Sequence, residues 1–179
     1  MKKLSILLIM TILAGCLLVG CGGSEDKDTS KNQETSNKDT EGRKEAYEGF
    51  SYSLNGTTVE LNGEMAPIVS ALGEADNYFE SESCAFQGLD KVYTYGSTVI
   101  TTYPLNKVDY VYTIELKDDT VETAEGVYIG AAKSDVTSAY GEPSQDTGSA
   151  YVYEKGESTL SFMFEGDVVT SIVYTAITE

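Results

Sequence analysis

The sequence predicts an α+β fold: two tandem helix-plus-antiparallel-meander repeats, with the helices packed on one face of the sheet. Three observations predict it. Residues 59–74 align without gaps on residues 127–142 at an offset of 68, with five of 16 positions identical. Tyr93 and Tyr95 then match Tyr151 and Tyr153 at an offset of 58, and Val108 and Val111 match Val169 and Ile172 at 61. In both stretches a short apolar segment of helical period precedes runs that alternate with a period of two.

The elements follow in chain order. Lys2 and Lys3 precede an apolar run through Leu13 that is too short for a spanning helix, which needs about 20 apolar residues. Residues 1–20 therefore read as a secretory signal peptide. Two small-residue strings end in cysteine, Leu13-Ala14-Gly15-Cys16 and Leu18-Val19-Gly20-Cys21. Cys21 is the preferred lipidation site and Cys16 the alternative, because everything after Cys21 is polar while cleavage before Cys16 leaves Leu17, Leu18 and Val19 behind. Residues 22–48 hold no Val, Ile, Leu, Met or Phe. With nothing to bury, residues 21–48 are expected to be a disordered tether carrying the lipid, spanning roughly 30 Å as a flexible coil.

The folded module is expected over residues 49–179, in repeats of about 50–117 and 118–179. Residues 50–54 and 57–61 flank Asn55-Gly56, a pair suited to a type I′ hairpin turn. The first helix packs through Ile68, Val69 and Leu72, the second through Val136, Ala139 and Tyr140. Gly73 and Gly141 stand where a left-handed C-cap needs no Cβ. Pro67 falls near a helix start, where its missing N–H costs little. Strands are expected at 91–95, 98–103 and 107–116, then at 150–154, 158–164 and 168–177. Phe162 and Phe164 read as core facing a helix.

Two resemblances attach to these residues. The strings ending at Cys16 and Cys21 resemble a bacterial lipoprotein lipobox. That resemblance implies a diacylglyceryl thioether and stable membrane anchoring, each buried methylene contributing about 0.8 kcal/mol. The segment Ile129-Gly130, Lys133, Val136, Tyr140-Gly141 and Pro143 resembles the signature of small lipoproteins of the SmpA/OmlA outer-membrane-assembly type. The tandem arrangement is similar to the β-lactamase inhibitor protein fold. Together they imply a membrane-anchored extracytoplasmic lipoprotein acting as a non-enzymatic protein-binding module at the cell envelope. The alternative is a ligand- or substrate-binding lipoprotein serving a transporter or wall enzyme.

Composition excludes other classes. The chain has 179 residues, no His and a formal net charge of −17 from 12 basic and 29 acidic residues. Without His there is no Ser–His or Cys–His pair and no imidazole metal site. A pI near 4.2 argues against nucleic acid, which demands clustered Lys and Arg. No catalytic residues, metal ligands or cofactor are expected, and the partners are the membrane, through the lipid, and an envelope protein. With Cys21 lipidated and Cys16 removed, Cys84 is the remaining thiol, expected as a small buried apolar residue. Asp118-Asp119 reads as a solvated turn, and Lys133-Ser134-Asp135 as a helix start supplying caps rather than a Ser–Lys dyad. The composition is unusual in tyrosine, 13 against five Phe and no Trp. Tyr93 and Tyr95, Tyr110 and Tyr112, and Tyr151 and Tyr153 pair on strand faces. They are the candidate protein-binding residues, on an open sheet face, because Tyr offers area, few rotors and a polar tip.

Overall fold

A computed structural model describes residues 47–178. The expected signal peptide, Cys16, Cys21 and the tether through residue 46 lie outside the described residues. In chain order the elements are β1 (Ser51–Leu54), β2 (Thr57–Glu60), α1 (Met65–Leu72), β3 (Asn77–Glu82), β4 (Leu89–Tyr95), β5 (Thr98–Leu105) and β6 (Val108–Leu116). There follow α2 (Lys133–Tyr140), β7 (Gln145–Asp146), β8 (Ala150–Lys155), β9 (Ser158–Glu165) and β10 (Val168–Ala176).

The expected fold class is overturned. The described residues are mostly β, 51% strand against 12% helix, rather than an α+β pair of helix-plus-meander repeats. One antiparallel sheet of eight strands runs in the order β3-β4-β5-β6-β10-β9-β8-β7, beside a two-stranded hairpin of β1 and β2. The physical reason lies at the centre of the sheet. β6 pairs directly with β10, setting Ile114 opposite Tyr174 and Leu116 opposite Ile172, so one continuous layer forms. Each helix has eight residues, too few to form a layer of its own or to be stable alone.

Local chemistry explains the pieces. Asn55 and Gly56 both take positive φ, 50° and 82°, as a type I′ turn demands. The hairpin turns Tyr52, Leu54 and Val59 inward. α1 buries Met65 and Ile68 and α2 buries Val136, whereas Ala139 is exposed. Both helices end on glycine with positive φ, 84° at Gly73 and 77° at Gly141, and each glycine N–H donates back into its helix. Asp135 accepts a 3.1 Å hydrogen bond from the Ala132 N–H, so its role is to cap α2.

The segments that lead into the helices are stitched to the sheet. Val111 N–H donates to Gly63 O and Val169 N–H to Ala131 O, each at 2.9 Å. Each contact sits at a β-bulge, where Tyr112 in β6 and Thr170 in β10 are skipped by their neighbouring strands. This bonding makes Val111 the counterpart of Val169 and Ile114 that of Ile172. The expected match of Val111 with Ile172 is therefore displaced to Val169.

One face of the sheet carries α1, α2 and the hairpin. Ile100, Ile114, Leu160, Phe162 and Ile172 there have no exposed surface, and Tyr174 packs against Tyr52 at 5.9 Å between ring centres. Each such side chain contributes about 1.5–3 kcal/mol by burial. Cys84 is exposed instead of buried. The Ser83 hydroxyl accepts from the Ala85 and Phe86 N–H groups, and the turn this makes sends Phe86, not Cys84, toward the sheet.

Candidate interaction surface

Register divides the six predicted tyrosines. Tyr93 lies opposite Ile100 and Tyr95 opposite Thr98, while Tyr151 lies opposite Phe162 and Tyr153 opposite Leu160. All four therefore point to the helix-covered side. Tyr95 and Tyr153 are 7% and 6% exposed, and their hydroxyls donate to the carbonyls of Gly73 and Gly141 at 3.1 and 3.0 Å. Burial pushes both phenols up from their ordinary value. These two tyrosines hold down helix ends and present nothing to a partner.

Tyr93 and Tyr151 are half-buried beside the helix starts. Tyr93 joins Met65, Val69 and Asp109 in an open cleft of about 430 Å³, and Tyr151 joins Lys133, Thr137 and Asp167 in one of about 320 Å³. The Asp109 carboxylate accepts from Lys91 at 2.7 Å and holds that ammonium above its ordinary pKa. The Lys133 ammonium lies 4.3 Å from the centre of the Tyr151 ring and donates to Gly148 O at 3.0 Å. Lys133 is thus bound to an aromatic face and a carbonyl, an arrangement unlike a base that activates serine.

Tyr110 and Tyr112 belong to the opposite side, which no element among the described residues covers. Their rings lie 5.7 and 6.0 Å from that of Tyr103, and Phe86 lies 4.9 Å from it. Tyr103, 7% exposed, is the centre of this cluster, and its hydroxyl donates to the Asn62 side chain at 2.9 Å. Sequence reasoning missed Tyr103 and Phe86. A signal for Tyr103 existed in Asn106, a residue type that tolerates positive φ: it and Lys107 take φ 52° and 68°, and this two-residue turn sets Tyr103 opposite Tyr110.

Above the aromatic cluster the uncovered face runs unbroken across the sheet. One cross-strand row reads Phe79, Val92, Thr101, Thr113, Thr175, Thr159 and Glu154. The next reads Asn77, Thr94, Val99, Glu115, Val173, Ser161, Val152 and Gln145. Every Thr, Val and Ser in the two rows is half-buried, while Phe79 and, beyond them, Met163 are 62% and 53% exposed. Charge is sparse: Glu115 is held by Lys117 at 2.8 Å, and Glu154 sits near the edge. Residues 49–179 carry 21 acids and five Lys. A nearly uncharged band on so acidic a module means that the acids are placed around the face rather than on it.

Among the described residues, no group of three or more His, Cys, Asp or Glu is placed to hold a metal ion. No helix among them is long and apolar enough to cross a membrane. Compared with known protein families, curated proteins and solved structures, the chain matches none.

Proposed function

We propose that the chain is a membrane-anchored extracytoplasmic lipoprotein that acts as a non-enzymatic protein-binding module at the cell envelope. The observation that carries the proposal is the uncovered sheet face, a Thr, Val and Ser surface with few charges that ends in the Phe86, Tyr103, Tyr110 and Tyr112 cluster. Interface centres are depleted in charge and enriched in aromatic residues, with a polar rim. The area also fits. Eight strands span about 34 Å across and six residues about 20 Å along, so the face offers roughly 700 Å² per partner, near the ~800 Å² of a standard interface. The contact surface is therefore this face and not the six predicted tyrosines as a group. Cys21 supplies the anchor. The resemblance of residues 129–143 to small envelope lipoproteins points the same way.

Photo-crosslinking in the native envelope tests the proposal. A crosslinker at Thr113 is expected to give a discrete protein adduct, lost on Thr175→Arg, while one at Ser70 on the exposed side of α1 gives none. Cys21→Ser is expected to release the protein from the membrane fraction. Equal adducts from Thr113 and Ser70, or none from either, would refute the binding face. Retention of the Cys21→Ser protein on the membrane would refute the anchor.

A further inference from the structure

The two edges of the large sheet are unequal. One ends in β7, with only two residues, and the other in β3, with six, all exposed. Among the described residues, nothing pairs with the outer edge of β3. A long edge strand leaves a row of N–H and C=O groups ready to accept another strand. Its side chains are sorted by parity. Tyr78, Glu80 and Glu82 share one side, and Asn77, Phe79 and Ser81 the other. On the first side the Tyr78 ring packs against Tyr93 at 5.1 Å and its hydroxyl donates to Glu80 at 2.6 Å. Lys91 stands opposite Glu80, but its ammonium is bound to Asp109 at 2.7 Å. Neither Glu80 nor Glu82 has an ion pair among the described residues. On the second side Phe79 is 62% exposed.

We infer that β3 accepts an extended, basic strand of another protein by backbone pairing, with that strand's Lys or Arg beside Glu80 and Glu82 and its apolar residues beside Phe79. Charge selects this occupant. A second copy adding antiparallel through its own β3 brings both copies' Glu80 and Glu82 onto one side of the joint, and in the register centred on Glu80 it sets like charges directly opposite, which is destabilising. The module's excess of 16 acids adds to that repulsion. A strand that alternates basic and apolar residues meets both sides of β3 at once. Main-chain bonds then give affinity and alternate side chains give selectivity. This inference deepens the binding reading but uses the sheet's edge in place of its face. The two fail separately, because reversing the charge of β3 leaves the Thr113 crosslink unchanged if only the edge is engaged by the basic strand.

The test uses the full chain in detergent and an end-blocked octapeptide alternating Lys and Val. Hydrogen exchange is expected to slow over residues 77–82 on peptide addition. A Glu–Val octapeptide, and the Lys–Val peptide N-methylated at every residue, are each expected to bind at least tenfold more weakly. The double variant Glu80→Lys with Glu82→Lys alters only exposed side chains. It is expected to weaken Lys–Val binding at least tenfold and to strengthen Glu–Val binding. Undiminished binding of the methylated peptide, protection elsewhere in the chain, indifference to the charge reversal, or self-association through β3 without peptide would each overturn the inference.

Discussion

Replacing Tyr95 and Tyr153 by Phe, singly and together, isolates what holds the helix ends. Each hydroxyl makes one hydrogen bond, to Gly73 O or Gly141 O, and each ring stays buried in the variant. The accepting glycines are exposed, so the freed carbonyl regains water and the loss is that of one net hydrogen bond, about 1 kcal/mol. With a urea slope of about 2 kcal/mol/M, each single variant lowers the unfolding midpoint by ~0.5 M. Five strand spacings separate β4 from β8, about 24 Å, so the two losses are expected to add to ~1 M. Tyr151→Phe is the control: no hydrogen bond of its hydroxyl occurs among the described residues, and its midpoint stays within ~0.25 M, the ±0.5 kcal/mol of a featureless site. Urea unfolding followed by circular dichroism reads the four variants against the wild type. Unchanged midpoints at Tyr95 and Tyr153, or a double variant departing from the sum by more than about 0.5 kcal/mol, would refute the clamp.

Burial holds the phenols of Tyr174, Tyr140 and Tyr153 above their ordinary value, with the Glu125 carboxylate adding to the shift at Tyr140. Their stabilisation is complete below the unfolded value near 10 and falls as pH rises toward the folded one. Absorbance of tyrosinate is expected to lag behind that of the unfolded chain and then rise together with loss of structure. Asp118 accepts from Ser97 and Thr120, which holds its carboxyl below its ordinary value. Its contribution is present above that value and lost in acid, so the stability gap between wild type and Asp118→Asn is expected to close as pH falls below about 4. A Cβ on Gly156, at φ 52°, overlaps the Glu48 carbonyl. Gly156→Ala is therefore expected to cost at least ~1 kcal/mol and to speed proteolysis near Tyr47. Cys84 is expected to react with a thiol reagent in the native state as fast as in the denatured chain, reflecting its exposure.

Local signals were legible in the sequence where one residue decides one conformation. Asn55-Gly56 marked the hairpin, Gly73 and Gly141 marked the helix ends, and period-two alternation found β5 and β9. The strand β3 was invisible because all six residues are exposed, so no side alternates in polarity. β7 is too short to carry a pattern. The merging of the two meanders into one sheet depends on β6 meeting β10, a long-range pairing such as Ile114 with Tyr174 that no local signal encodes. Facing was misread for a related reason. Parity correctly put Tyr93 with Tyr95, but only the partner strand shows that their side is the covered one. The bulges at Tyr112 and Thr170 then shift parity within a strand, and bulges leave little trace in composition.

The covered face also explains why the described elements leave the other bare. An eight-residue helix cannot stand alone, yet each is held at both ends by the strands that follow it. Its lead-in segment pairs with the bulged strand, through Gly63 and Val111 or Ala131 and Val169. Its last turn is fixed by a tyrosine hydroxyl from β4 or β8. No residue of either row on the uncovered side takes part in these clamps. Substitutions such as Thr113→Arg or Thr175→Arg therefore change that surface without touching what holds the helices. A partner that binds there meets a sheet already made rigid from behind, so little ordering cost is left for the binding step.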